Sequence, residues 1–315
     1  MERVTTRSSQ GSILMVVLWL MGILALVASA FSFHARTERR LTVFQWDQIQ
    51  QAQVAKKKSA QAAALVENSS APLTLGDLSL WDALIFPDKA EPTSPFLSDE
   101  SSRINVNFAT KETLERLTGY RDVAASILDW RDSDSLVTAG GAETDFYETL
   151  AEPYPCRNGP LQSVPELLLL KGMTAELYEK ISPLVTVEGP GTVNVHTAPA
   201  EVLEALGAST ALVNKILVYR KGADLLAGTS DDGVFPKKSQ VIELLEKRWP
   251  LNESEKDSWQ KVEDRISLRG SALRLDFPVT VENSLSTRWY QIGVDPTDGG
   301  QRIQSWHEGT AWGKR

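Results

Sequence analysis

The chain's 315 residues can hold two domains, or one domain with a large insertion, and 42% hydrophobic with 23% charged content is the balance of a globular core. A formal net charge of −8 excludes the basic excess that an electrostatic nucleic-acid binder carries. One cysteine, Cys156, excludes an intramolecular disulfide and leaves the redox compartment open.

The segment from Ser12 to Phe33, SILMVVLWLMGILALVASAFSF, carries no charge. At about 22 residues it is long enough to cross a hydrocarbon core of roughly 30 Å as a helix. Arg3 and Arg7 precede it and Arg36, Arg39 and Arg40 follow it, so flanking charge leaves the orientation open. Two processing schemes compete. Ala28-Ser29-Ala30 is a small-residue site of the kind signal peptidase cuts. Gly11, directly before the apolar run and after a short basic leader, instead resembles the prepilin signal. There a peptidase cuts after the glycine and leaves the apolar helix in place, which makes Ser12 the first mature residue. The apolar run exceeds an ordinary signal core, which favours the prepilin scheme. No helix breaker follows until Pro72, and the intervening residues are rich in Gln, Ala, Lys and Glu. Leu41, Phe44, Ile49, Ala52, Ala55 and Ala63 recur at loose helical spacing. One continuous rod is expected, its transmembrane part over 12–33 and its soluble part over 34–70.

Residues 71–103 are Pro- and Ser-rich and read as loop with a short strand or two. Beyond them the chain repeats itself at a spacing of about 89 residues. Asn105 aligns with Asn194, Ala109 with Ala198, Leu114 with Leu203, Leu117 with Leu206, Ile127 with Ile216 and Arg131 with Arg220. Each copy reads as an extended piece, a helix capped by threonine (Thr110 with Thr113, Thr197 before Pro199), a glycine turn and a second helix. The stretch Leu167 to Gly172 with the residues after it gives a third hairpin, and Val241 to Leu245 begins a fourth. These units resemble helix-hairpin-helix modules, whose G-x-G turn presents backbone N–H groups to a phosphate. Here the turns begin at Gly119, Gly172 and Gly207, the second glycine is missing each time, and Asp122 would repel an anion. The hairpins are therefore expected to be scaffold, without nucleic-acid binding.

Two loops gather carboxylates. Asp132, Asp134, Glu143 and Asp145 surround Gly140-Gly141, and Asp224, Asp231 and Asp232 surround Gly228 and Gly233. Oxygen ligands at alternating positions beside a flexible turn suit Ca²⁺, although neither spacing is that of an EF-hand. A solvated acidic turn is the competing reading of each. Neither loop contains His or Cys, so zinc and redox metals are not expected. His196 takes the place of Phe108 in the other copy, which argues for packing over base chemistry, and no Walker loop, G-x-S-x-G or H-E-x-x-H occurs. From Ala272 onward three runs alternate apolar and polar residues, as antiparallel strands do, with a turn over Pro296 to Gly300.

The order of parts, with Trp130 to Asp134, Gly140 to Tyr147, Pro153 to Asn158 and Ser163 to Leu167, resembles the minor pseudopilin K family of the general (type II) secretion pathway over nearly the whole chain. The resemblance implies an α+β fold: a long N-terminal membrane-spanning helix, a pseudopilin-like antiparallel sheet and a large α-helical insertion with duplicated helix-hairpin-helix-like units. It divides the chain into a leader (1–11), the helix (12–33 and 34–70), a sheet and loop region (71–103), the insert (104–265, as 104–190 and 191–265) and C-terminal strands (266–315). It implies a non-enzymatic protein of the inner membrane, single-pass, with its C-terminal domain in the periplasm. The implied place is the tip of the secretion pseudopilus, with a part in pseudopilus initiation and in protein export across the outer membrane. Implied partners are the I- and J-type minor pseudopilins, the major pseudopilin and prepilin peptidase, and family members bind Ca²⁺ through the insert's acidic loop. Pilins usually carry glutamate at the fifth mature position; here it is Val16, an absence shared by K members and suited to a subunit with no neighbour above it. A competence-type DNA receptor and a minor type IV pilin share parts of this plan, but the first needs G-x-G turns and a basic face, and the second lacks the insert.

Overall fold

In the structure, a computed structural model, residues 10–67, 72–87, 96–229, 231–270, 272–281, 287–295 and 302–309 are described. Two compact units divide the chain, Met1–Ala55 with Val279–Thr287, and Lys56–Pro278 with Arg288–Arg315.

The first unit is dominated by helix α1, Gln10–Glu67, whose 58 residues contain no proline. At 1.5 Å per residue it is about 87 Å long. From Leu14 on it is long and apolar enough to cross a membrane: the most apolar window has mean hydropathy 2.6 and no buried residue. Trp19, Leu26 and Phe31 are all exposed, as side chains that face lipid would be. The expected rod is thus one helix as far as Glu67, and residues 68–70 of the expected span lie outside the described residues. Its apolar stripe is less uniform than expected, since Leu41, Phe44 and Ile49 are exposed while Ala62 and Ala63 are buried.

The second unit begins with the last turns of α1 and with α2, Leu75–Ile85. Helix α2 corrects the reading of 71–103 as loop and strand. Thr74 and Asp77 form a reciprocal capping box, with Asp77 N donating to Thr74 Oγ1 at 3.2 Å and Thr74 N to Asp77 Oδ2 at 2.9 Å. Leu78, Trp81 and Ile85 then bury one face. Lys58 Nζ donates to the Ile85 carbonyl at the helix end. A four-stranded sheet follows in the order β1-β6-β7-β8, with β1 at Leu97–Asp99, β6 at Leu273–Val279, β7 at Arg288–Asp295 and β8 at Arg302–Gly309. β1 and β6 pair antiparallel with Leu97 opposite Leu275, and β7 and β8 pair antiparallel with a bulge at Gly293 and Val294. Leu273, Leu275, Phe277 and Val279 alternate inward along β6, as the expected strand pattern requires. The turn expected over Pro296 to Gly300 lies outside the described residues.

Between β1 and β6 lie two copies of one helical unit. The first comprises β2 (Ile104–Asn105), α3 (Lys111–Thr118), α4 (Arg121–Arg131), α5 (Thr144–Tyr147), α6 (Ala175–Ile181) and β3 (Val185–Thr186). The second comprises β4 (Val193–Asn194), α7 (Ala200–Leu206), α8 (Thr210–Arg220), α9 (Val241–Glu246), α10 (Glu253–Val262) and β5 (Ile266–Ser267). β2 pairs parallel with β3 and β4 with β5, so the four expected hairpins belong two to a unit. Gly119 and Gly207 end α3 and α7 in the left-handed region, at φ 76° and 115°, which a residue with a Cβ adopts only under strain. Arg131 donates to the Ala109 carbonyl at 2.6 Å, and Arg220 does the same to Ala198. These two arginines tie the second helix of each hairpin to the start of the first. Leu114, Leu203, Ile127 and Ile216 occupy one continuous core. The copies differ at their caps. Thr110 Oγ1 accepts from Thr113 N as expected, but Thr197 is no cap: its hydroxyl donates to Asp99 Oδ2 at 2.7 Å, and Pro199 stands at the N-cap of α7 without a side-chain bond.

Candidate functional site

The first acidic loop leaves α4 at Arg131 and returns at α5. Asp132, Asp134 and Glu143 each place a carboxylate oxygen so that all lie within 4.8 Å of one another. Oxygens about 2.4 Å from a shared Ca²⁺ are at most about 4.8 Å apart, so the three can surround one such ion. Glu143 is 3% exposed, and no N–H or O–H reaches its carboxylate oxygens or Asp132 Oδ1; the weakly donating Cys156 thiol is the group beside Glu143. Carboxylates stripped of water without a donor are costly, and the cost appears in their proton affinity. Burial first, then the charges of Asp132 and Asp129, push the Glu143 carboxyl above its usual range. Burial first, then Asp134 and Asp129, do the same to Asp132. Asp145 is not brought into the group; it stands exposed in the first turn of α5.

An aromatic layer adjoins the loop. Trp130 meets Tyr147 edge-on at 5.1 Å between centroids, and Tyr147 stacks on Tyr154 at 5.4 Å. Tyr154 Oη donates to the Leu169 carbonyl at 2.7 Å, and burial pushes the Tyr147 hydroxyl up to about 12. The resemblance-bearing residues Trp130, Tyr147 and Tyr154 therefore build one local support.

The second acidic loop is organised differently. Asp231 Oδ2 accepts from the N–H groups of Ala223 at 2.5 Å and Asp224 at 3.2 Å, and its Oδ1 from Thr229 Oγ1 at 2.7 Å. Asp232 Oδ2 accepts from Gly228 N at 2.7 Å, and Asp224 Oδ1 from Leu226 N at 2.8 Å. With its hydrogen bonds first supplied by Thr229, the Asp231 carboxyl falls to about 2. Here the turn's own donors occupy the carboxylates, as Asx turns do.

The first hairpin turn carries a carboxylate at the helix start that would face an anion. Asp122 lies in the first turn of α4, and a Cβ on Gly140 would meet its Oδ1 at 2.3 Å. His196 is buried, accepts at Nε2 from Phe235 N at 2.9 Å and is lowered to about 4, chiefly by burial. It is a packing residue, whereas its counterpart Phe108 is exposed. In detergent at physiological salt the full chain is expected to leave duplex DNA unbound in the micromolar range; salt-sensitive retardation of the duplex would overturn that reading.

Comparison with known proteins identifies one segment of the chain. Residues 105–189 match the family described as type II secretion system (T2SS), protein K. Those residues form a type II secretion protein K domain. A type II secretion system protein K of Klebsiella pneumoniae is 40% identical over 77 residues, 24% of this chain and 24% of that protein. Those of Pectobacterium carotovorum subsp. carotovorum and Aeromonas hydrophila are 35% and 41% identical over 63 and 61 residues. These alignments span about a quarter or less of the relatives' own length. In fold, a chain of the GspK-GspI-GspJ complex of the type 2 secretion system of enterotoxigenic Escherichia coli matches with TM-score 0.62 at 17% identity. That match covers 87% of this chain and 99% of the other. The resemblance to minor pseudopilin K and the α+β fold it implied are thereby shown.

Two residues of the K domain's pocket were missed in the sequence. Asp129 is fully buried, accepts from Thr138 N at 3.1 Å and would clash with any Cβ on Gly141. Its place three residues before Asp132 at the end of a helix was a usable signal, because that spacing shares a face. The second is Cys156, whose sulfur lies 3.8 Å from the Asp129 carbonyl and beside the Glu143 carboxylate, although the group that could hold an ion contains neither His nor Cys. No spacing rule announces it, since the pairing depends on the chain folding back after α5.

Proposed function

We propose that the chain acts, without catalysis, as a minor pseudopilin at the tip of a type II secretion pseudopilus, where it assists pseudopilus initiation and protein export across the outer membrane. The observation that carries this is the fold match covering 87% of the chain, joined to the protein K match over residues 105–189. Helix α1 serves as the single-pass anchor in the inner membrane, and the rest of the chain works in the periplasm. The boundaries read from sequence, with an insert over 104–265, serve as the working domain map. Because the solved relative belongs to a GspK-GspI-GspJ complex, the I- and J-type minor pseudopilins are the proposed direct partners, with the major pseudopilin below them. Val16 supports the tip position: a fibre core in which each subunit neutralises the ammonium of another has no use for a glutamate where nothing stacks above.

Ca²⁺ is the proposed ligand of Asp132, Asp134 and Glu143. The residues fit it: carboxylate oxygens of Asp132, Asp134 and Glu143 converge with no N–H or O–H donor on Glu143, and bound Ca²⁺ would supply the positive charge they lack. The loop around Asp224, Asp231 and Asp232 keeps that role only if its turn donors are displaced.

The test is co-expression of the full chain with prepilin peptidase and the I- and J-type pseudopilins of its own operon. A mature N-terminus at Ser12 and co-purification with both partners from detergent extracts are the expected results. An N-terminus at Phe31, following Ala30, would remove the membrane helix and overturn the proposal, as would processing without any association.

A further inference from the structure

We propose that the outer face of α2 is the surface on which the I- or J-type subunit next below this one docks an apolar stripe of its own N-terminal helix. The inference rests on the reading of the chain as the tip subunit of a pseudopilus and deepens it by naming the contact. Leu78, Trp81 and Ile85 turn toward the protein, yet Leu80 and Leu84, one turn apart on another side, are 58% and 60% exposed. Ala83, on that side too, is exposed as well. A helix that is apolar all round belongs in a buried place. Neither carboxylate of α2 is spare: Asp77 is held in the capping box, and Asp82 Oδ1 accepts from Phe96 N at 2.8 Å and Leu97 N at 3.0 Å. Gly228 of the second acidic loop lies against Gly76 at the start of the same face, and that loop leaves Leu225 and Leu226 exposed. Leu225 is held at φ 60°, which a residue with a Cβ adopts only under strain, and such strain marks working surfaces more often than scaffold.

The occupant follows from where the face lies. Only residues 68–74 separate α2 from α1. Lys58, in the last turns of α1, donates to the Ile85 carbonyl and sits 5.0 Å from the Phe86 ring centroid, so α2 is fixed beside the end of the rod. Subunits anchored by a helix of this kind stand side by side, and what each offers a neighbour next to the rod is its own helix. This chain shows what such a helix presents: beyond the uncharged run, Leu41, Phe44 and Ile49 of α1 are exposed. A stripe of that composition laid along Leu80, Ala83 and Leu84 removes both surfaces from water, with anchors three and four residues apart as helix recognition requires. A charged partner gains nothing from a face whose carboxylates are already engaged.

The test uses the full chain co-expressed with prepilin peptidase and the I- and J-type pseudopilins of its own operon. A photo-crosslinking p-benzoylphenylalanine in place of Leu84 should join the chain to the N-terminal helix of one of the two. The same group in place of Leu136, exposed on the first acidic loop, should not. Leu80→Asp with Leu84→Asp should lower the amount of that subunit recovered in detergent at least about tenfold, since truncating a buried anchor costs that much or more. Both side chains are exposed in the chain alone, so the double variant should melt where the parent does. The crosslink decides the matter even if that variant fails to fold. Crosslinks from position 84 that stay within the chain or reach only lipid would overturn the docking face and leave the tip reading standing. So would a folded double variant that keeps its partner. If neither subunit co-purifies with the unaltered chain, the tip reading falls and this inference with it.

Discussion

Removing Ca²⁺ with a chelator should lower the melting temperature of the full chain by roughly 5–10 °C. Binding confined to the folded state contributes about 2.7 kcal/mol at a hundredfold excess over Kd, and about 1 kcal/mol moves a protein of this size by roughly 2–4 °C. Asp132→Asn with Glu143→Gln should abolish the response and, in addition, raise the melting temperature of the metal-free protein. The reason lies in the raised proton affinity of both carboxyls, caused first by burial, then by Asp134 and Asp129 for Asp132, and by Asp132 and Asp129 for Glu143. A carboxyl whose folded value lies above its unfolded one favours folding only while protonated. Its contribution is complete below the ordinary carboxylate range and is lost as pH rises through the raised value. Without metal, stability should therefore decline from mildly acidic toward neutral pH, and Ca²⁺ should reverse that decline. Magnesium should substitute poorly, since it requires a tighter octahedral shell than this loop offers. Melting curves with and without chelator at two pH values check all of this, and indifference to the chelator would return the loop to a solvated turn.

Asn194→Ala should cost about 3 kcal/mol, more than the same change at its counterpart Asn105, because of what each amide holds. Asn105 Nδ2 donates to the carbonyls of Glu188 and Gly189, at 3.0 and 2.9 Å. Asn194 Nδ2 donates to the Leu73 carbonyl and to Asp99 Oδ2, both at 2.9 Å. Asp99 is buried at the end of β1 and otherwise depends on Thr197 and Ser101 N, at 2.7 and 2.8 Å. Burial holds its carboxyl above the usual range against the pull of those bonds. Losing the Asn194 donor strands a charge, and a buried charge without its partner is the expensive case. The deficit should be largest near neutral pH and shrink in acid, where Asp99 is protonated in both states. Urea denaturation of the two alanine variants at acidic and neutral pH measures it; equal, pH-independent losses would show that Asp99 does not depend on Asn194.

Much of this architecture could be read along the chain. A helix without breakers announces itself, and so does a repeat that preserves Asn105 and Asn194, or Arg131 and Arg220, because each pair makes the same kind of local bond in both copies. Helix α2 was hidden by composition: the flanking Pro72 and Pro87 suggested loop, and the Thr74–Asp77 capping box was the signal overlooked. The pocket was legible only in part. Asp132, Asp134 and Glu143 lie close enough in sequence for a loop to gather, but Asp145 is turned away by a helix start, and Cys156 arrives through tertiary folding. Thr197 misled for a similar reason, since the sequence shows a helix-capping residue but not the buried aspartate that claims its hydroxyl.

The pairing of Leu97 with Leu275 has a consequence for how the chain assembles. Ile104 waits for Val185, Val193 waits for Ile266, and the strand holding Leu97 waits for both units to be synthesised. Closing a flexible loop costs only about 0.6 kcal/mol more for each doubling of its length. A duplication between β1 and β6 therefore burdens the flanking strands very little in equilibrium terms. Its burden is kinetic, because contacts between residues far apart in sequence form slowly. Once the two helical units have closed, their ends at Ile104 and Ser267 are fixed, and joining β1 to β6 becomes a short-range event. The order of folding is thus nested, with the insert completing first and the sheet sealing last.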